Sequence, residues 1–591
     1  MTRRHSRVPG SITTDHAQRR RIAAWGIAYL GGIGVVTAAL LGRVVQLKVA
    51  PDPRLANAVG TPTSSRTEHA VRGELRDQRG RVLAGSTLGY RLFVDPEVVE
   101  DIHTIGLDLG TILDRDPVAI SKAIFSTRPD SRYAVVIDRL EDGEVNAIRD
   151  ANLPGVGLTP RLVRHYPHGT TGESIVGLVG FEHHGLSGFE HMFDGRLTSE
   201  DGSLRYLRDV QGRAMWISPA NYLPPTDGDD VWLSLDLVIQ EIAEKHLRAA
   251  VQRQNAGGGR LVVVDPETGE LLAMTDVLNP RPGWEEQTED PLRTKRPRLA
   301  RNRCVTDPYE PGSTFKPFVW SVATDMGLAT LDEELPTPAH PAYRTSKGRR
   351  IRDTYYTENA TWHTVLLKSL NSGMAIVAER MTHAEMQDAI ARFGFGSKTR
   401  SGLPGETAGI VTPPGKWTHY TQTSVSMGHE IAVTPLQMAR AFCVFAGDGT
   451  LPSLRVTAER RGDARYRVVN RILPEETIQV VRTAMRDVMD EGSGRKCRSE
   501  IYQMFGKSGT AQLPKRDGGG YHEDRYVSSF IAGAPFETPR VVVVCVIDDP
   551  DKALGHYGGA IAGPVVRDVI DEVLQYLGVV GDIEPPAPDE G

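Results

Sequence analysis

Three short clusters in the second half of this 591-residue chain combine hydroxyl, amine and amide groups in ways that suit acyl transfer. The first is Ser313-Thr-Phe-Lys316 within EPGSTFKPF. Glu310-Pro-Gly reads as a turn. Proline is tolerated only in a helix's first turn, where N–H groups lack partners, so Pro317 places Ser313 near a helix N-terminus. At i and i+3, Ser313 and Lys316 share a helix face. A neutral amine there can take the serine proton once burial and neighbours lower its pKa, and the helix dipole favours charge developing on the oxygen. The second cluster is Ser369-Leu-Asn371, set before the apolar stripe Met374, Ile376, Val377 and Met381. A hydroxyl and an amide two residues apart can relay a proton and hold a substrate amide. The third is Lys507-Ser508-Gly509-Thr510. On an edge strand, Ser508 and Thr510 share a face and can bind a carboxylate. Gly509 lets a substrate approach the backbone, and edge N–H groups can line an oxyanion hole. Taken singly, the three equally describe a helix start, a cap and a glycine-rich bulge.

These clusters need a frame. The polar, turn-rich run Pro224–Asp230 separates an N-terminal region from the part that holds them. Beyond it, Asp236 can N-cap a helix whose face is Ile239, Ile242, Ala243, His246, Leu247 and Ala250. Leu261–Val264, the turn DPETG and Glu270–Met274 predict a hairpin. Ser528–Ala534 and Arg540–Ile547 predict a second. Pro564 then opens a helix striped by Val565, Val566, Val569, Ile570, Val573, Leu574 and Leu577 and closed by Gly578. Helix, strands, many helices, strands, helix is the order of an α+β domain with one antiparallel sheet built from both ends of its chain. Residues 43–225 are rich in short strands, with Asp77–Gly80 as a turn. Five histidines between His165 and His191 lack HExxH spacing and cysteine neighbours, and read as surface-loop residues.

Composition sets the outer bounds. A net charge of −6, 24% charged and 40% hydrophobic residues exclude a disordered chain and a polytopic membrane protein. A sequence pI near 6.3 argues against a basic nucleic-acid binder. The four cysteines form no CxxC pair, and spacing alone does not decide whether they pair. Charge is nevertheless local. Arg3, Arg4, Arg7, Arg19, Arg20 and Arg21 precede the uncharged stretch from Ile22 to Gly42, which is just long enough to span a bilayer. The basic side stays in the cytoplasm by the positive-inside rule. The chain divides into a cytoplasmic tail (1–21), an anchor (22–42), a pedestal module (43–225), a catalytic domain (226–580) and a disordered tail (581–591).

SxxK, SxN and K[ST]G in this order are the signature of serine β-lactamases and penicillin-binding proteins. The chain also carries RGELRDQRGRVLA, YPHGTTGESIVGLVG, LSGFEHMFDGRL, VVVDPETGELLAM, SVSMGHEIAVTPLQMARAF and HYGGAIAGPVV. With these it closely resembles the class B penicillin-binding proteins, monofunctional peptidoglycan transpeptidases, from the anchor to about Gly578. Leu370 and Ser508 are mild departures from the commoner motif residues. The resemblance implies a pedestal (dimerisation-like) module followed by a serine β-lactamase-like transpeptidase domain, with no metal or organic cofactor. It implies Ser313 as the acylated nucleophile, Lys316 as its base, Ser369 as proton relay and Asn371 as holder of the peptide amide. Lys507 keeps the site electropositive and bonds Ser369. Ser508 and Thr510 receive the carboxylate of a D-Ala-D-Ala stem peptide, beside Gly509, and the N–H groups of Ser313 and Thr510 form the oxyanion hole.

SLNSGMAIVAERM and SMGHEIAVTPLQ resemble the septal, division-type branch, whereas KSGTAQ is common among elongation-type enzymes; the short pedestal favours division. The implied partners are stem peptides, β-lactams as acylating inhibitors, a glycosyltransferase of the shape, elongation, division and sporulation family, and other division proteins. The implied place is the inner membrane, single-pass, with the enzyme outside and no nucleic acid bound. Two other functions share the motifs: a β-lactam sensor or hydrolase, and a non-catalytic division scaffold.

Overall fold

The computed structural model describes residues 16–49, 63–126, 131–180, 183–208, 214–279, 301–340, 342–458, 471–515 and 519–584. The chain forms two compact units, Met1–Glu68 with Asp201–Pro225, and His69–Glu200 with Thr226–Gly591. In the first, helix α1 (His16–Val49) is 34 residues long. At 1.5 Å per residue it is about 50 Å long. Among the described residues it is the one helix long and apolar enough to cross a membrane. Arg3, Arg4 and Arg7 lie outside the described residues. Strand β1 (Thr63–Glu68) belongs to this unit too.

The second unit opens with β2 (Leu75–Arg76) and β3 (Val82–Val94), joined by the Asp77–Gly80 turn. Asp77 closes it by accepting from the backbone of Arg79 and Arg81 at 2.9 and 2.8 Å. Helices α2 (Ile102–Leu113) and α3 (Pro117–Phe125), strand β4 (Ala134–Leu140), helix α4 (Asp142–Ala151) and strand β5 (Val156–His165) follow. β4 and β5 both pair antiparallel with β3, and Leu92, Val94, Leu109, Ile124 and Ile148 form the core beneath them. Back in the first unit, β6 (Gly202–Arg208) pairs with β1 and with β7 (Ala214–Leu223). In the second, β8 (Val231–Trp232) runs parallel to β2. A buried ion network braces this region: Glu190, fully buried, accepts from Arg72 at 2.9 Å and Arg164 at 2.7 Å. A buried charge is tolerated only when paired this way.

Helix α5 (Leu237–Arg253) begins as expected, with Asp236 accepting from Val238 and Ile239. The same carboxylate binds Arg79, Arg81 and Tyr576. Burial alone would raise its pKa, but Arg81 and the other donors hold it low. The predicted hairpins form as β9 (Gly258–Val264) with β10 (Leu271–Leu278), and β16 with β17, defined below. Between them lie α6 (Lys316–Asp325), the short hairpin β11 (Tyr343–Arg344) and β12 (Arg350–Ile351), α7 (Asn371–Ala378) and α8 (His383–Arg392). Then come β13 (Ile410–Val411), β14 (Ile431–Ala432), α9 (Pro435–Ala446) and α10 (Glu475–Asp490). The C-terminal elements are β15 (Phe505–Pro514), β16 (Tyr521–Ala534), β17 (Val541–Asp548) and α11 (Gly563–Tyr576).

The sheet order is β10-β9-β17-β16-β15, antiparallel throughout, so both ends of the domain meet at β9 and β17. Alternation decides the layers. Val541, Val543, Cys545 and Ile547 face a core shared with α5 and α11. Val542, Val544 and Val546 face the core built with α6, α9 and α10. A strand covered on both faces reads as one continuous apolar run, which is how β17 looks in sequence. β16 begins seven residues before its predicted start, because its polar tip YHEDRY pairs beyond the apolar part. At the C-terminus, the tail expected from Gly581 is tied for its first residues: Asp582 and Ile583 donate to Ile501 O at 3.1 and 3.2 Å. Residues 585–591 lie outside the described ones.

All four cysteines are buried free thiols.

Candidate active site

Strand β15 is an edge of the five-stranded sheet, and the 3-10 turn Gly312–Phe315 packs against it. This turn runs directly into α6, whose first turn contains Pro317. Ser313 thus precedes the α-helix in a tighter turn, while Lys316 is the helix's first residue. The approach to the sheet is close. A Cβ on Gly509 would lie 2.6 Å from both Pro311 O and Ser529 Oγ. The glycine expected to admit substrate is therefore required by contact with the nucleophile's own turn. Gly312 is left-handed (φ +55°) and donates to Gly428 O at 3.1 Å. Gly428, also left-handed, has no room for a side chain, since its Cβ would meet Gly312 O at 2.1 Å. Backbone packing, with the Thr314 hydroxyl donating to Pro311 O at 2.8 Å, fixes where Ser313 stands.

Ser313 is half-buried, and Lys316 is wholly buried beside it in sequence. The ammonium position is surrounded by the second motif. Lys316 Nζ donates to Ser369 O at 2.6 Å and Asn371 Oδ1 at 2.7 Å, and lies 3.3 Å from Ser369 Oγ. Burial pushes its pKa down to about 7, with Asp353 pulling the other way. A neutral amine has two N–H donors and one lone pair. The two short bonds use both donors, which leaves the lone pair able to accept a proton from a hydroxyl.

The second motif is held by backbone strain and a carboxylate. Ser369 adopts a left-handed conformation (φ +60°), rare for a residue with a side chain, as the chain reverses into α7. Asp353, buried just after β12, accepts from the backbone N–H groups of Asn371 and of Ser372, the latter at 3.1 Å. These are the first N–H groups of α7, so Asp353 caps it from a distant part of the chain. Asn371 Nδ2 donates to Arg352 O at 2.9 Å, which points its amide oxygen at Lys316.

Lys507 is fully buried on β15, and burial, then the neighbouring Lys316, holds its pKa well below the usual lysine range. Its ammonium donates to Ser508 O at 3.2 Å. The implied hydrogen bond from Lys507 to Ser369 is not formed, because Lys316 takes that place. The outward hydroxyls differ in their partners. Thr510 Oγ1 accepts from Gly558 N at 2.9 Å, which leaves its O–H for an incoming carboxylate, whereas Ser508 Oγ donates to Ser493 Oγ at 3.0 Å and must turn from it to do the same. At the rim, Glu310 accepts from Tyr521 OH at 2.9 Å and pairs with His429 at 3.1 Å.

The structure thus brings all three motifs together, with Ser313 and Lys316 on one element, Ser369 and Asn371 on a second, and Lys507 to Thr510 on a third. Asp353 and Ser493 escaped the sequence reading. Each lies in an irregular segment outside any motif, and only the fold places it against one. The chemistry available is attack by a serine oxygen with proton transfer to a buried amine, next to hydroxyls that can fix a carboxylate.

Comparison with known proteins agrees in extent and kind. The penicillin-binding protein transpeptidase domain matches residues 259–571, and the penicillin-binding protein dimerisation domain matches 67–233. The chain is 31% identical over 578 residues to the peptidoglycan D,D-transpeptidase FtsI of Escherichia coli, covering 95% of this chain and 93% of that protein. It is 32% identical over 522 residues to a probable peptidoglycan D,D-transpeptidase, PenA, of Neisseria meningitidis (87% and 86% covered). Stage V sporulation protein D of Bacillus subtilis is 29% identical over 522 residues (86% and 78%). In fold, a peptidoglycan synthetase from Bifidobacterium adolescentis superposes with TM-score 0.66 at 24% identity, covering 89% of this chain and 98% of that one.

Proposed function

This chain belongs to the penicillin-binding protein transpeptidase family, and from that premise we propose how its residues divide the work of a peptidoglycan D,D-transpeptidase in septal wall synthesis. Ser313 Oγ attacks the carbonyl of the penultimate D-Ala of a stem peptide while Lys316 accepts its proton. The peptide C–N bond breaks, and the leaving D-Ala amine collects a proton relayed through Ser369. Asn371 holds the peptide amide. Lys507 supplies positive potential, and Ser508 and Thr510, beside Gly509, hold the terminal carboxylate. The N–H groups of Ser313 and Thr510 face the oxyanion. An amine of a neighbouring stem then attacks the ester, releasing Ser313. Helix α1 anchors the enzyme in the inner membrane, with residues 1–21 cytoplasmic and the catalytic domain outside. There it works beside a glycosyltransferase of the shape, elongation, division and sporulation family and other division proteins.

The observation that carries the division of roles is the half-buried Ser313 preceding a wholly buried Lys316 whose two short hydrogen bonds leave a lone pair free. Fluorescent penicillin should label the full chain stoichiometrically and slowly, and Ser313→Ala should abolish labelling while the fold persists. Rapid nitrocefin turnover would mark a hydrolase instead, and no labelling of folded protein a scaffold. Depletion should give filaments; rounded cells would mean an elongation role.

A further inference from the structure

A second concave site lies where the loop after α8, helix α9 and the segments 451–454 and 471–472 meet. It has a volume of about 620 Å³, and its wall carries Arg392, Lys398, Arg400, Arg440 and Arg471 and, among the described residues, no acidic one. None of the groups given a role in acyl transfer lines it. Two of the cations are offset from outside: Arg392 pairs with Asp388 at 2.5 Å and Arg471 with Asp448 at 2.9 Å. Lys398, Arg400 and Arg440 make no ion pair among the described residues. Arg440 is the telling one. Its Nε donates to Pro452 O at 2.8 Å, and the rest of its guanidinium has no acceptor among the described residues. It is half-buried, and that burial lowers its pKa, with Cys443 and the Glu406 carboxylate raising it and the like-charged Arg400 lowering it. Gly394, left-handed at φ +79°, keeps the space above it open, for a Cβ there would stand 2.9 Å from Arg440 Nη1. A half-buried cation facing like charge across a concave wall is stabilised when an anion completes the site.

We propose that this wall binds a phosphate-bearing ligand, a pyrophosphate or a short phosphodiester chain, through Lys398, Arg400 and Arg440. Guanidinium forks match tetrahedral oxyanions two bonds at a time. Three cations face this volume and a single carboxylate, Glu406, stands behind it bonded to Thr399, so the excess charge is more than one ligand carboxylate neutralises. Such chemistry occurs in lipid-linked pyrophosphates and in anionic wall polymers, so two probes separate the sources.

The full chain in detergent is titrated by calorimetry with inorganic pyrophosphate and with a glycerol-phosphate oligomer, at matched ionic strength, against poly-glutamate. The tighter phosphate probe identifies the source. Binding should weaken about tenfold or more in Arg440→Gln and in the exposed-site variant Arg400→Gln, as loss of a charge-assisted contact predicts. Penicillin labelling should stay unchanged in both. Absence of binding by both phosphate probes overturns the site. So does equal binding of poly-glutamate, which would mean an unspecific basic surface, or unchanged affinity in Arg400→Gln, whose exposed side chain leaves folding intact.

Discussion

If Lys316 is the base, acylation must follow its titration, and Asp353 must set where that titration falls. With a pKa of about 7, roughly one-tenth of the amine is neutral at pH 6 and nine-tenths at pH 8. The second-order rate of acylation by a penicillin should therefore rise about tenfold between pH 6 and 8 and then level. Asp353→Asn is the diagnostic change. The amide oxygen can still accept from the N–H groups of Asn371 and Ser372, so the cap on α7 survives while the charge goes. The path from Lys316 to that carboxylate runs through the Asn371 side chain and two hydrogen bonds. Two unit charges about 7 Å apart, at an effective dielectric near 20, attract by about 2 kcal/mol, somewhat more than one pH unit. Removing the attraction favours the neutral amine. The midpoint should fall to about 6 or below, and the rate at pH 6 should rise from about a tenth of the variant's own plateau to about half or more. Stopped-flow fluorescence with a labelled penicillin from pH 5.5 to 9 reads both curves. A flat wild-type profile across pH 6–8 would remove Lys316 as the titrating base, and a midpoint unmoved or raised in Asp353→Asn would refute the electrostatic coupling.

Two further outcomes follow from burial and close packing. Unfolded Lys316 holds its proton up to about 10.5 whereas folded Lys316 loses it near 7. Lys316 should thus make stability rise with pH above 7, contributing about 1.4 kcal/mol per unit, to which the lowered Lys507 adds in the same direction, until unfolded cysteines begin to ionise near 8.5. Melting curves between pH 7 and 8.5 should show a rising stability whose slope is smaller in Lys316→Met by about that amount; an identical slope in the variant would assign it elsewhere. Gly509→Ala should cost about 1–3 kcal/mol of stability by overpacking and slow acylation at least tenfold, since its methyl group meets Pro311 O and Ser529 Oγ. Wild-type acylation in that variant would show that the turn carrying Ser313 can yield without consequence.

Much of this was legible in the chain. Continuous apolar runs at Leu261–Val264 and Arg540–Ile547, the Asp236 cap and Pro564 announced the central sheet and its flanking helices, because these signals are local and strong. Ser313, Lys316, Lys507, Ser508 and Thr510 stood in motifs whose spacing is itself informative. The β11–β12 hairpin, each strand two residues long, carried no such run, and neither did the polar extension of β16.

What the sequence by itself determined is the inventory: which hydroxyls, amines and amides are present, on which kinds of element, and in which order. Tertiary structure alone decided their chemical state. Lys316 titrates near 7 because it is wholly buried, and it faces Ser369 and Asn371 because a carboxylate 18 residues earlier, Asp353, caps the helix that carries Asn371. Lys507 bonds its own strand instead of Ser369 for the same reason: Lys316 already occupies that position. Desolvation and packing depend on every neighbour at once, and no spacing along the chain encodes them.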